Sequence, residues 1–521
     1  MADKIEIYDT TLRDGAQAEG IAFSLEDKLL IAAKLDELGV DYIEGGYPLS
    51  NAKDEAFFKK VRKLKLSNSK IVAFGMTRKK GIAPEDDIGL KAVQKSLAPV
   101  VAIVAKSWDM QVTEVLRASL EENLRMIFDS VRFLRKKGRT VFFDAEHFFD
   151  GYKDNPEYAL KTLKTAAEAG ATRLILCDTN GGTLITDIEK IISDVQSVIE
   201  TPLGIHTHND CGLAVAGSLA AVRAGAVQVQ GTINGFGERC GNADLCVVAP
   251  NLVLKMGLKC LGKNSMSKLT ETSRFVYEQA NLNRPLNQPY VGNSSFAHKG
   301  GMHVHAVSKN TRCYEHVDPE SVGNSRRVII SELSGASNLL ARSEKLALIK
   351  DKALVRKILK HVQDLENEGY QFETAEGSFD LIVQRFMGSY RSFFELKHYR
   401  TIILRYDGGT PVSEAIVKIK VNGHLEHRVA EGDGPVNALD SALRKAIEPH
   451  FPTVRDMQLM DYRVRVVNPR AATAAKVRVV IESRDQNRHW GTIGVSENII
   501  DATWKALVDS IEYKLLSENN L

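Results

Sequence analysis

Apolar residues follow two alternating rhythms through the first half of the chain. The short runs Ile5–Tyr8, Tyr42–Gly45, Ile71–Phe74, Val100–Val104, Val141–Phe143, Leu174–Cys177, Gly204–Thr207 and Val227–Ile233 read as eight strands. Between them, Leu25–Leu38, Thr113–Lys137, Pro156–Ala169 and Thr186–Ile199 carry apolar positions at helical spacing. Gly39, Gly138, Gly170 and Gly225 follow such stretches, where a left-handed C-cap is expected. Eight strand–helix units predict an α/β fold, a (β/α)8 TIM barrel. A doubly wound sheet is the alternative, but it rarely needs eight evenly spaced units.

The rhythm stops near residue 265. Residues 1–265 are read as the catalytic barrel, 266–370 as a helical connector, and 371–516 as a C-terminal α+β regulatory domain. In the connector, Thr270–Ala280 and Ser343–Glu366 read as helices, and Ala297–His305 is a Gly/His segment of the kind that positions groups from a mobile loop. The C-terminal part reads strand, strand, helix twice: Ile402–Arg405, Glu414–Val421 and Gly434–Glu448, then Asp461–Val467, Lys476–Glu482 and Asn498–Leu516. Glycines lead into both helices, at Gly432 and Gly434 and at Gly491 and Gly494. Glycines turning into a helix N-terminus offer free amides and a favourable dipole to an anion. Two readings stay open: an ordinary packing repeat, or a pseudo-symmetric pocket for a carboxylate-bearing effector.

At 521 residues the chain exceeds one ordinary domain. With 69 basic and 66 acidic residues the net charge is +3, which argues against a nucleic-acid binder. Six cysteines without a Cys-x-x-Cys pair suit reduced thiols. No signal peptide and no membrane-length apolar run is evident, so a soluble, cytoplasmic protein is expected.

The chemistry concentrates after the strands. His206 and His208 share one face of the seventh strand, while Thr207 points to the other. Two imidazoles on one face can share a divalent cation, and an early carboxylate such as Asp14 can complete the site. Asp9 to Asp14, Glu44, Asp144 and Glu146, Asp178 to Asn180, and Asn234 to Asn242 supply further polar groups at or after strands. Parallel α/β folds place their chemistry there.

Asp9-Thr10-Thr11-Leu12-Arg13-Asp14-Gly15 with Gln17, His206-Thr207-His208-Asn209-Asp210, and the Gly235–Ala243 segment together resemble the 2-isopropylmalate, homocitrate and citramalate synthases. These belong to a metal-dependent barrel group with an Asp-Arg-Glu signature. Tyr42–Pro48 and Phe142–Gly151 look most like the citramalate synthases. Two departures stand out: Ala16 where many relatives have Glu, and the Asp144-Ala145-Glu146 context. The resemblance implies condensation of acetyl-CoA with a 2-oxo acid, pyruvate in the first place, within isoleucine synthesis. A 2-isopropylmalate synthase using 2-oxoisovalerate, a homocitrate synthase, and a carbon–carbon lyase or aldolase on the same barrel are the alternatives.

The resemblance also assigns roles. Asp14, His206, His208 and Asn242 would hold a divalent metal, Mn, Mg, Co or Zn. Asn242 is otherwise read as a helix cap. Arg13 would stabilise developing negative charge, or else pair with Asp9 or Glu44. Thr179 would donate to the oxo-acid carboxylate, or else serve a turn. Glu146 is the candidate general base, with His303 and Tyr314 as a polar pair reaching the partner subunit's site in a homodimer. Met76, Val104 and Phe142 are candidate pocket walls, and Cys240 is read as small and buried. The C-terminal domain would bind an amino-acid effector, isoleucine if the product is citramalate.

Overall fold

A computed structural model describes residues 4–262, 265–328, 351–467, 475–486 and 488–518. Two compact units are present, one made of residues 1–296 and 316–326, the other of residues 297–315 and 327–521.

In the first unit, eight parallel strands close into a barrel in chain order. They are β1 (Glu6–Asp9), β2 (Tyr42–Glu44), β3 (Lys70–Met76), β4 (Val100–Lys106), β5 (Thr140–Glu146), β6 (Arg173–Asp178), β7 (Leu203–Thr207) and β8 (Gln228–Gly231). Because β8 pairs back with β1, the sheet is closed, and the doubly wound alternative falls. Helix Leu25–Leu38 shows how the sequence sets an element. Ser24 caps its first turn, Asp27 returns the bond to Ser24, and Gly39 ends it in the left-handed region at φ 83°. The stretch Thr113–Lys137 behaves differently from its reading as one helix. Gln111–Val115 forms a separate turn, Arg117 adopts φ 51°, and the helix starts at Leu120 with Ser119 as cap.

Strand alternation sorts the barrel side chains. Outward residues such as Ile7, Ile43, Ile103, Phe143 and Ile205 are buried in the main core with the helices. Inward residues form layers. At the amino end, Arg173 and Gln228 both donate to Glu6. Next comes an apolar layer including Tyr8, Val72, Ala102 and Phe142. Phe142, expected in the pocket wall, belongs to this layer because it sits two residues below Asp144 and four below Glu146 on β5. At the carboxyl ends the inward row turns polar, with Glu44, Lys106, Asp144, Glu146, His206 and Gln230.

In the second unit, β9 (Ala297–His298) pairs in parallel with β10 (Arg327–Val328). Two antiparallel sheets follow. β11 (Phe394–Leu404), β12 (Val412–Val421) and β13 (His424–Gly432) precede helix Pro435–Ile447. β14 (Gln458–Val466), β15 (Val477–Arg484) and β16 (His489–Ser496) precede helix Ile499–Glu518. The α+β repeat is therefore three strands and a helix, not two strands and a helix. β13 escapes the pattern because Ala430 is its only fully buried residue. β16 reads as a turn because of its glycines, yet both serve close packing. A Cβ on Gly491 would lie 1.8 Å from the Thr374 carbonyl oxygen, and one on Gly494 2.0 Å from that of Ala502. Gly434 does stand at a helix start, as its N-cap, but Gly494 lies inside a strand, so the expected glycine symmetry of the two helix starts is absent. The connector helices appear as Leu269–Gln279 and Lys352–Glu368, and residues 343–350 of the expected second one lie outside the described residues. Among the described residues, no helix is long and apolar enough to cross a membrane.

Candidate active site

The carboxyl ends of the barrel strands surround a cavity of about 580 Å³ lined by Arg13, Asp14, Glu146, Thr179, His206 and His208 among others. Behind the lining residue Arg13 lies a buried carboxylate, Glu44. Tyr8 and Thr10 hydroxyls donate to it at 2.6 and 2.5 Å, and Arg13 Nε at 2.6 Å. Every oxygen of this buried charge is thus paired, as the interior demands. Arg13 also reaches Asp14 Oδ2 at 2.8 Å and lies over the Phe74 ring at 4.2 Å. Arg13 is thus an ion-pair partner of Glu44, as one of its two readings expects, and it lines the cavity. Burial works against its charge, but Glu44 and Asp14 hold it firmly protonated.

Asp14, His206 and His208 converge. His206 Nε2 lies 3.4 Å from His208 Nε2 and 3.7 Å from Asp14 Oδ2, and His208 Nε2 lies 4.0 Å from the same oxygen. The centre of such a triangle is about 2.1 Å from each corner, the length of a zinc bond to imidazole nitrogen or carboxylate oxygen. Burial raises the cost of charge on Asp14, but the Arg13 guanidinium beside it keeps it ionised, well below the usual carboxylate range. Burial lowers both histidines, His208 to about 4, with the neighbouring His206 adding to the effect. Neutral imidazoles beside an ionised carboxylate are the donor set a divalent cation requires.

The tautomer of His206 follows from its surroundings. Gln230 Nε2 donates to Asp144 Oδ1 at 3.4 Å, which turns Gln230 Oε1 toward His206 Nδ1 at 3.0 Å. His206 then carries its proton on Nδ1 and presents Nε2 as a lone pair. Asn242 bonds Asp14 Oδ1 at 3.0 Å and the Phe236 carbonyl through Nδ2, while its buried Oδ1 has no partner. Its seat depends on Gly237, at φ 154°, where a Cβ would come within 2.1 Å of Asn242 Nδ2. The helix-cap reading of Asn242 is displaced: the cap of Leu245–Pro250 is Asp244. Asn242 thus meets Asp14 through its amide nitrogen and carries a buried, unpartnered carbonyl oxygen, an atom type able to ligate a divalent cation.

Glu146 stands at the top of β5, its Oε2 2.6 Å from Lys106 Nζ, and both line the cavity. Asp144, one inward position deeper, is pushed up to about 7 by burial and by the Glu44 charge. Thr179 lines the cavity and accepts the His147 amide at 2.9 Å, so its hydroxyl proton remains available. Met76 and Val104 line the same cavity. Cys240 is exposed, contrary to its reading as buried, because the turn around it seats Phe236 and Asn242 inward and leaves its tip outside. His303 and Tyr314 belong to the second unit, where their rings stack with centroids 4.1 Å apart.

Sequence reading gave no role to Gln230 or Lys106. The signal was strand alternation: both lie two residues from inward neighbours at strand ends, on the row that carries His206 and Glu146.

Comparison with known proteins identifies the family. The HMGL-like family model matches residues 4–276, the homocitrate synthase post-HMGL domain-like model residues 290–370, and the LeuA allosteric (dimerisation) domain model residues 373–515. A closed barrel of this kind with an Asp/His/His cluster at its carboxyl end defines the class: the chain belongs to the HMGL-like family, in the branch of the 2-isopropylmalate synthases. More particularly, it is 54% identical to the (R)-citramalate synthase of Geobacter sulfurreducens, over 98% of this chain and 97% of that one. The (R)-citramalate synthase of Aquifex aeolicus is 50% identical, covering 99% of each chain. The 2-isopropylmalate synthase of Methanocaldococcus jannaschii is 31% identical, over 99% of this chain and 95% of that one.

Proposed function

We propose that this chain is a transferase that condenses the acetyl group of acetyl-CoA with pyruvate, releasing citramalate and CoA, in isoleucine synthesis. The observation that carries the reading is the single cavity shared by Asp14, His206, His208, Arg13 and Glu146, in a chain near 50% identical to proteins of that name along its whole length.

In this reading Asp14, His206, His208 and Asn242 hold a divalent cation, with Mn, Mg, Co and Zn all compatible with a nitrogen and oxygen donor set. Such an ion supplies Lewis acidity toward the 2-oxo acid. The protein's own groups do the rest. Thr179 donates its hydroxyl to the oxo-acid carboxylate and fixes the ketone's face. Glu146 takes a proton from the acetyl methyl group, and the enolate carbon attacks the ketone carbon. Arg13, fixed by Glu44, faces the oxygen that gains charge. Lys106, 2.6 Å from Glu146 Oε2, holds that carboxylate in place at the cavity wall. His303 and Tyr314 form the polar pair through which a proton reaches the new alkoxide oxygen and makes it the product hydroxyl. Water then cleaves the thioester, releasing CoA. Met76 and Val104 limit the space beside the ketone substituent, which favours a methyl group.

A homodimer in the cytoplasm, inhibited by isoleucine through residues 371–516, completes the reading. Its support is the match of residues 373–515 to an allosteric dimerisation domain, and exposed apolar residues on the outer strands there, among them Ile403, Leu425, Val429 and Val464.

The test is CoA release from acetyl-CoA across a panel of pyruvate, 2-oxoisovalerate and 2-oxoglutarate. Pyruvate should lead in kcat/KM by about tenfold or more, the discrimination a hydrophobic pocket gives for one or two methylenes. A higher value with 2-oxoisovalerate overturns the substrate assignment.

A further inference from the structure

Arg239 stands in the loop after β8 with its backbone in the left-handed region, at φ 57°, where a residue with a long side chain stays only when its contacts hold it. A fork of hydrogen bonds does so. Its Nε donates to Asp210 Oδ1 at 2.8 Å and its Nη2 to Asp210 Oδ2 at 3.0 Å, a bidentate pair with the loop after β7. The same Nη2 donates to the Thr179 carbonyl at 2.7 Å, in the loop after β6. One guanidinium thus ties three loops together. Backbone bonds run beside it: the His208 amide to the Asp178 carbonyl at 3.2 Å, the Cys211 amide to that of Gly181 at 3.1 Å, and the Asn209 amide to that of Gly241 at 2.9 Å. Arg239 lines the same cavity as Thr179 and His208, yet the proposed chemistry gives it no task.

Thr179 is pinned at two points. Its hydroxyl oxygen accepts the His147 amide at 2.9 Å, and its carbonyl accepts Arg239. The amide sets where the hydroxyl oxygen lies, and the guanidinium sets the peptide that carries it. We infer that Arg239, clamped by Asp210, is a positioning residue: it holds Thr179 where its hydroxyl can donate to the carboxylate of the 2-oxo acid, without meeting that carboxylate itself. Its Nε and Nη2 are taken by Asp210 and Thr179, and its Nη1 faces Glu238 at 3.9 Å. This rests on the proposed use of a 2-oxo acid held by Thr179. Lysine cannot take the place of Arg239, because an ammonium is a point donor that cannot span a carboxylate and a carbonyl in one plane.

The experiment is a double-variant cycle in the full-length protein saturated with Mn. Pyruvate binding is followed by calorimetry without acetyl-CoA, and CoA-release kinetics are taken on the same preparations. Arg239→Lys should weaken pyruvate binding and raise its KM about tenfold, the scale of one impaired hydrogen bond to a charged group. KM for acetyl-CoA and the affinity for Mn should change little. Thr179→Val should weaken pyruvate binding as well, and adding Arg239→Lys to it should bring no further loss, because residues acting through one contact are not additive. In Thr179→Ser, which keeps the hydroxyl, Arg239→Lys should regain its full effect. Asp210→Asn loosens the clamp from the other side and should show the same pattern more weakly, so the test does not hang on one variant; melting curves check folding. A loss that persists undiminished in the Thr179→Val background would mean that Arg239 meets the substrate directly, and overturns the inference. No loss in Arg239→Lys, or an equal loss of Mn and pyruvate affinity, would mean a loop brace only, and overturns it too. A wild type that binds no 2-oxo acid fails the proposed function itself. One that binds pyruvate but releases no CoA fails the assigned reaction, and the binding cycle still scores the clamp.

Discussion

The barrel and the second unit use the same two-residue strand period to opposite ends. In the barrel both faces of every strand are covered, so a polar residue on the inward row is expensive unless paired. Glu44, Asp144 and His206 sit on that row, and each is bonded to a neighbour. In the second unit one sheet face packs on helices, as with Ala415, Val417 and Ile419, while Glu414, Lys418 and Lys420 alternate with them toward the other face. There a charge costs little and carries little information. The lesson is that inward polar residues at the carboxyl ends of a closed barrel's strands mark chemistry, and outward charges of a one-sided sheet do not.

The largest expected effect follows on the barrel side. Glu146→Gln should lower kcat by about 10²–10⁴-fold with little change in KM for pyruvate, as removal of a proton-transfer group does. Exchange of the acetyl methyl protons with deuterated solvent, in the presence of a non-reacting oxo-acid analogue, reads the step directly. Undiminished exchange in the variant would assign the base elsewhere, with His303 the first alternative.

Gln230→Leu comes next. It removes the group that fixes the His206 tautomer and leaves Asp144 without its amide partner. Metal affinity should fall about 10–100-fold, the usual consequence of losing a partner behind a metal-binding histidine. Titration with a divalent cation checks it, and unchanged affinity would show that the histidine needs no such support.

A buried carboxylate away from the candidate site, on the last helix of the second unit, should give a smaller effect, read in stability. Asp509, on helix Ile499–Glu518, is pushed up to about 6 by burial, despite Arg385 nearby. Its folded value lies above the ordinary carboxylate value near 3.9, so the folded state holds the proton more tightly. Stability from this group is greatest below about pH 4 and declines as pH rises toward about 6, above which the loss is constant. Asp509→Asn should flatten that decline and raise the melting temperature at pH 7.5 by a degree or two. A lower melting temperature there would mean the Arg385 contact outweighs the burial cost.

The same contrast explains what the sequence disclosed. The barrel strands were legible because apolar runs on both faces leave continuous hydrophobic segments, and His206, His208 and Asp14 were legible because their chemistry is rare at strand ends. Gln230 and Lys106 were not, since their meaning lies in what they touch on the neighbouring strand, His206 and Glu146. β13 was hidden by its solvated face, and β16 by glycines whose reason, carbonyl oxygens of Thr374 and Ala502 pressed against them, exists only in three dimensions.

The central claim is that Asp14, His206 and His208 form one working metal centre. The direct measurement is divalent-metal content and CoA release on the same preparations of wild type, His206→Ala and His208→Ala. The account predicts about one ion per chain with pyruvate-dependent CoA release in the wild type, and loss of both in each variant with the melting curve of a folded barrel. Full activity in either variant at normal metal content would contradict it.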